Sequence, residues 1–302
     1  MKPFVLMLVV SALLQPAAAS SRRVHISVAG LFHSSQFAVE SSPAQPLIAS
    51  TKDREFTLGA NGHERVLITR REKRLLLQTA KDRFLCDSVT FASAQNGDAD
   101  FTLSVPNRFA RAYRGRLTLL SNGRELVAVV EMNLETAVAS AVAAESPPGA
   151  PLEALKAQAV VSRSYFVAAG RRHPLAEFCD TTHCQFVRNP PAASSLAARA
   201  ARETDGLVLT WNGKVFPALY SAQCGGRTRT LAETGPVANG YPYFAVKCSH
   251  CARNPGRTAG HGLGLCQNGA AAMASDGKDF REILSHYFPN TTLNQSAGEE
   301  HF

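Results

Sequence analysis

Leu134-Glu135-Thr136-Ala137-Val138-Ala139-Ser140-Ala141-Val142-Ala143-Ala144-Glu145 is the stretch on which the reading of the fold turns. Leu134, Val138, Ala141 and Val142 recur at helical spacing, and Glu145 extends the same stripe, four residues past Ala141. A carboxylate therefore ends an apolar helix face. Ser146-Pro147-Pro148-Gly149 stops this helix, and Pro151 can open a second one, whose buried side is marked by Leu152, Leu155, Ala159 and Phe166. Lys156 and Arg163 share another stripe of that helix.

Upstream the texture changes to short strands: Val24 to Val28, Arg65 to Ile68, Leu75 to Leu77, Phe101 to Leu103 and Leu117 to Leu120, with turns such as Asn61-Gly62, Asn96-Gly97 and Asn122-Gly123 between runs. Downstream, Ser194-Ser195 can cap a third helix through Arg202. Apolar arms around Asn212-Gly213 then predict a hairpin over Leu207 to Phe216, leading through Tyr220-Ser221 into Cys224-Gly225-Gly226. Gly260-His261-Gly262-Leu263-Gly264 precedes a helix near Leu265 to Ala274, and Phe280, Ile283, Leu284 and Tyr287 mark a last one. The fold class is α+β: a β-rich region over 20–130, a mixed helix and strand part over 131–293, and a disordered tail over 294–302.

Lys2 followed by the apolar run Phe4 to Leu14 and by Ala17, Ala18 and Ala19 reads as a cleaved export signal over 1–19. No later stretch approaches the ~18 or more apolar residues of a membrane helix. The expected compartment is the periplasm, cell envelope or exterior. With 45% hydrophobic and 19% charged residues the composition suits a packed core and excludes a disordered or collagen-like chain. The net charge of +8 is compatible with an anionic partner such as nucleic acid, membrane or wall polymer but is too mild to name one, and export argues against nucleic acid.

Four sets of residues can carry chemistry. Burial of Glu145 against apolar neighbours would raise its pKa, as a general acid near neutral pH requires; the plainer alternative is a capped, helix-terminal glutamate. His173, Cys179, His183 and Cys184 offer four ligands within twelve residues, enough for tetrahedral zinc, or else a Cys179 to Cys184 disulfide beside two surface histidines. Cys224, Cys248, Cys251 and Cys266 can form two disulfides or a second metal site, the Cys248-Ser249-His250-Cys251 spacing being that of a metal knuckle. His261 between glycines can meet a ligand closely or belong to a plain turn.

Leu134 to Glu145, Glu153 to Tyr165, Cys179-Asp180-Thr181-Thr182-His183-Cys184-Gln185, Tyr220 to Gly226, Gly260 to Ala270 and Ile283 to Pro289 together resemble, in order, the SpoIID/LytB (stage II sporulation protein D) family. The resemblance covers residues 110 to 293. It implies a peptidoglycan lytic transglycosylase that cuts the MurNAc-GlcNAc bond without water and leaves an anhydro-MurNAc end. The family's catalytic glutamate falls on Glu145, and a structural zinc site of some members on His173, Cys179, His183 and Cys184. Arg163, Tyr220, Ser221, His261 and Gln267 match positions around the cleft and are expected to bind substrate. The alternative is a non-catalytic glycan-binding modulator of a cell-wall amidase. Ser146 stands where the family has Met, Pro147 to Ala150 replaces an aromatic-containing turn, and Cys266 stands where many members have Ser.

Overall fold

The computed structural model describes residues 22–42, 45–59, 64–94, 97–234, 240–253, 256 and 258–296. The expected export signal, the Asn61-Gly62 turn and Asn96 lie outside the described residues. No helix among the described residues is long and apolar enough to cross a membrane.

Among the described residues eleven strands precede the first α-helix: β1 (Arg23–Val28), β2 (Gln36–Ser41), β3 (Leu47–Ser50), β4 (Glu55–Leu58), β5 (Arg65–Arg71), β6 (Arg74–Gln78), β7 (Arg83–Cys86), β8 (Ser88–Ser93), β9 (Ala99–Val105), β10 (Phe109–Ser121) and β11 (Leu126–Asn133). They form one curled sheet whose main path runs β1-β11-β10-β9-β2-β5-β6-β7, with β8 on β10, β3 on β8 and β4 on β3. Strand β10 makes the curl possible by changing partners halfway. Before Gly115 it pairs with β9, and after it with β11 and β8. Gly115 itself has φ +148, and a Cβ there would collide with the Glu131 carbonyl, so only glycine fits the crossing.

Asn133 ends β11 and begins the helical part, its Oδ1 accepting the N–H groups of Glu135 and Thr136 as the cap of α1 (Leu134–Glu145). Helix α2 (Leu152–Ala168) starts directly after Pro151. It is buried nearly all round, as a helix between two apolar layers must be. Leu155, Ala159, Tyr165 and Phe166 belong to a core shared with the β sheet and α1. Ala154, Ala157, Val160 and Val161 belong to a second core built by the rest of the chain. The first core therefore runs straight across residue 130, where a region boundary was expected.

Strand β12 (Phe178–Cys179) returns to the sheet and pairs in parallel with β1. Helix α3 (Leu196–Glu203) is capped by Ser195, and β13 (Leu207–Trp211) turns at Asn212-Gly213 into β14 (Lys214–Val215). Then follow β15 (Tyr220–Ser221), the short helices α4 (Leu231–Thr234) and α5 (Ser249–Arg253), β16 (Leu265–Cys266), α6 (Gln267–Ser275), α7 (Phe280–Tyr287) and β17 (Thr292–Gln295). β17 corrects the start of the expected tail, since Asn294 pairs with Val208 and Gln295 with Leu207 along an edge that β13 offers; residues 297–302 lie outside the described residues.

Candidate active site

Glu145 closes α1 where three other segments arrive. Its Oε1 accepts the backbone N–H of Phe186 at 2.6 Å, from the loop after Cys184. Its carbonyl accepts from Gln267 Nε2 at 2.8 Å, at the start of α6. The Tyr220 hydroxyl of β15 also bonds its carboxyl. The pKa of Glu145 is raised, chiefly by burial. The Phe186 N–H, the Tyr220 hydroxyl and the charge of Arg188 oppose that shift without cancelling it. Among the described residues, the charged group acting on the Glu145 carboxyl is Arg188, stacked 4.4 Å over the Phe186 ring; no second carboxylate contributes.

Tyr220 is held neutral, its pKa pushed well up by burial and then by the Glu145 charge. Its single proton has two acceptors, Glu145 and Gln185 Oε1 at 3.2 Å. When Glu145 is ionised the phenol can donate to it. When Glu145 is protonated the phenol can turn to Gln185. The network stores either state with its hydrogen bonds made. Gln185 in turn donates to the Ser162 carbonyl.

The residues expected to bind substrate divide. Tyr220 is half-buried beside Glu145, and His261 is exposed. Arg163 is corrected: its side chain has no exposure, Nε and Nη2 clasp the Glu135 carboxylate, and Nη1 and Nη2 also serve the Leu207 and Ala201 carbonyls. All of its reach is used inside the protein. Gln267 is corrected likewise, since both bonds of its buried Nε2 go to Glu145 O and Gln158 Oε1. Buried Ser221 accepts the Gly262 N–H at 2.8 Å and faces His261 Nδ1 at 3.3 Å. Leu263 N–H also points at Nδ1, 3.0 Å away, which makes Nδ1 an acceptor and leaves the proton on Nε2. The loop that does this uses Gly260, Gly262 and Gly264, all at positive φ. These bonds fix His261 to its own loop and to Ser221 rather than to Glu145.

Sequence reasoning missed Phe186 and Arg188, and Gln158 lay in the quoted Glu153 to Tyr165 block without a role. Gln185 lay inside a quoted block without a role. A backbone N–H in a loop carries no sequence signal; only proximity reveals it. A cavity of about 1140 Å³ in the β half, lined by Arg54, Phe56, Asp82 and Phe84 among others, includes none of the residues around Glu145.

The donor atoms of His173, Cys179, His183 and Cys184 converge, all within 4.8 Å of one another. His173 Nε2 lies 3.4 Å from Cys184 Sγ, and His183 Nδ1 lies 3.5 Å from Cys184 Sγ and 3.8 Å from Cys179 Sγ. A tetrahedron with metal–sulfur bonds of about 2.3 Å and metal–nitrogen bonds of about 2.0 Å has S···N edges of about 3.5 Å. The donor set fits a tetrahedral cation. Adjacent His183 and Cys184 face one point because the chain turns there, Cys184 N–H bonding the Thr181 carbonyl and His183 N–H the Thr181 hydroxyl. The Cys179 thiol is pushed down to about 4, first by its hydrogen bond with Cys184. Neither sulfur is bonded to another.

The sequence model of SpoIID, a stage II sporulation protein, matches residues 122–211. The chain is also 23% identical over 260 residues to an uncharacterized protein of Brachyspira hyodysenteriae, the match covering 58% of this chain and 70% of that one. It is 36% identical over 104 residues to the amidase enhancer of Bacillus subtilis, which covers 34% of this chain and 14% of that protein. The matched family segment runs from the turn before β11 to the end of β13, and so contains Glu145, α2 and the whole His173 to Cys184 cluster. Over residues 122–211, then, this chain is similar to the SpoIID family.

Proposed function

We propose that the protein is an exported, cell-wall-acting lytic transglycosylase with Glu145 as its acid and base. The observation that supports this best is a half-buried carboxyl with a raised pKa and no partner carboxylate. Hydrolases of glycosidic bonds ordinarily use two carboxylates, one on each side of the sugar. A single carboxyl suffices when the sugar supplies its own nucleophile. Protonated Glu145, with Oε1 occupied by the Phe186 N–H, gives its proton from the other oxygen to the bridging oxygen between MurNAc and GlcNAc. The C1–O bond breaks. Ionised Glu145 then takes the proton of a hydroxyl on the same sugar as that oxygen attacks C1, and the anhydro ring closes. Tethering the nucleophile in this way is worth up to ~7–11 kcal/mol when orientation is good. Tyr220 serves both halves of the cycle by following the charge on Glu145.

The His173, Cys179, His183 and Cys184 group would hold zinc, which with four protein ligands has no open position and so braces the loop rather than reacting. That loop ends in Phe186, whose N–H holds Glu145. The basic charge of the chain suits an anionic wall polymer.

The test incubates the protein and Glu145→Gln with glycan strands lacking stem peptides and reads anhydro-muramic ends by mass spectrometry. Loss of a general acid–base should lower product formation by about 10²- to 10⁴-fold. Equal product from both proteins ends the reading. The likeness to a protein named amidase enhancer favours a second reading, a glycan-binding modulator of an amidase. It is supported instead if no anhydro ends form while both proteins raise the rate of an added amidase equally.

A further inference from the structure

The second cysteine group sits in the other core, behind the active-site elements. Cys224 follows β15, Cys248 and Cys251 bracket the start of α5, and Cys266 ends β16 and caps α6. All four are buried, and their sulfurs lie within 4.8 Å of one another. Cys251 Sγ and Cys266 Sγ are 3.5 Å apart. Two disulfides would sort the four into pairs at about 2.05 Å. A tetrahedral site with metal–sulfur bonds of about 2.3 Å instead sets every sulfur about 3.8 Å from the other three. The observed convergence on one point has the second form.

Polar hydrogens point at the sulfurs from the surrounding elements. Cys266 Sγ accepts the Gly269 N–H at 3.4 Å, and Cys248 Sγ accepts the Tyr287 hydroxyl at 3.4 Å. The backbone of Gly226 bonds Cys224, and that of Cys251 bonds Cys248, the latter being the knuckle of a C-x-x-C turn. A Cβ on Gly269 would come 2.6 Å from Cys248 Sγ, so the first turn of α6 packs directly on the sulfurs. Such N–H and O–H contacts from outside the group are what orients ligands around a metal ion.

We infer that Cys224, Cys248, Cys251 and Cys266 form a closed tetrathiolate zinc site. It ties β15, which carries Tyr220, to the start of α6, which carries Gln267. The metal would hold the two elements that contact Glu145 at fixed spacing without reaching the substrate. This site is independent of the glycan chemistry, and it is distinct from the His173 group.

Metal analysis of the full chain separates the possibilities. In a His173→Ala/Cys184→Ser variant, which dismantles the first group, about one equivalent of zinc should remain, with cobalt substitution giving the intense sulfur-to-cobalt absorption of four thiolates. Adding Cys248→Ser/Cys251→Ser should remove it. Should that variant fail to fold, alkylation mapping of the native chain decides. Cys224, Cys248, Cys251 and Cys266 should resist alkylation together and become reactive together on chelation, while Cys86, buried outside both groups, stays protected. Disulfide-linked peptides among the four overturn the inference. So does metal-free protein whose four thiols are alkylated without chelator.

Discussion

The two ends of α1 carry the same side chain and treat it in opposite ways. Glu135 lies in the first turn, where the helix dipole favours a negative charge, and its carboxylate is clasped by Arg163. Glu145 lies in the last turn, where the dipole opposes a negative charge, and burial raises its pKa. One glutamate is a structural anion. The other is shifted by burial toward its protonated form. The lesson is that a carboxylate's role is set by which end of a helix holds it and by what faces it across the packing, not by its residue type.

The largest stability effect should come from unbalancing the first end. Arg163→Met leaves Glu135 without its partner and removes the guanidinium bonds to the Leu207 and Ala201 carbonyls. Breaking a buried pair costs ~3–5 kcal/mol, and the 19% exposure kept by the Glu135 side chain places this case near the low end, about 3 kcal/mol by urea denaturation. Pairing it with Glu135→Leu should recover part of the loss. If Arg163→Met is neutral, the contrast between the two ends has no energetic content.

Gln267→Leu comes next. It strips the Glu145 carbonyl of its donor and leaves Gln158 Oε1 unpaired, a cost of about 1–3 kcal/mol in the same measurement. A stability unchanged within error would mean that the Gln267 bonds do not hold the end of α1.

Glu145→Gln should act on stability in the reverse sense from Arg163→Met. Between the ordinary glutamate pKa and the raised one, the folded protein keeps a proton that the unfolded chain has lost. This glutamate therefore makes stability fall as pH rises through that window and level off above it. The variant has no such loss. Thermal melts should show no difference at acid pH and a more stable variant at neutral pH. A variant that is less stable at neutral pH would make Glu145 a second structural anion.

The smallest effect belongs to Tyr220→Phe. The hydroxyl favours ionised Glu145, so its removal raises the carboxyl's pKa further. The alkaline limb of the kcat/KM profile should move to higher pH. A limb that stays in place removes Tyr220 from the proton's path.

Much of this was legible along the chain. The stripe that ends at Glu145, the Pro151 start of α2, the Ser195 cap and the Asn212-Gly213 turn are local, and each appears where spacing and capping chemistry put it. The His173, Cys179, His183 and Cys184 group was also visible, because a short loop with four soft or borderline donors can close on itself. Arg163 was misread. A long cation on a helix stripe looks the same in sequence whether it faces a cleft or a carboxylate from the neighbouring helix.

The amino-acid order alone determined the helices, the hairpin and the identity of a carboxylate at the end of an apolar face, since periodicity, caps and turn residues act over a few positions. Only the tertiary structure decided that Phe186, Tyr220 and Gln267 meet there, that Arg163 is spent on Glu135, and that four distant cysteines share one point. Desolvation and hydrogen bonding are sums over whatever packs nearby, and for this site those neighbours come from segments up to 122 residues away.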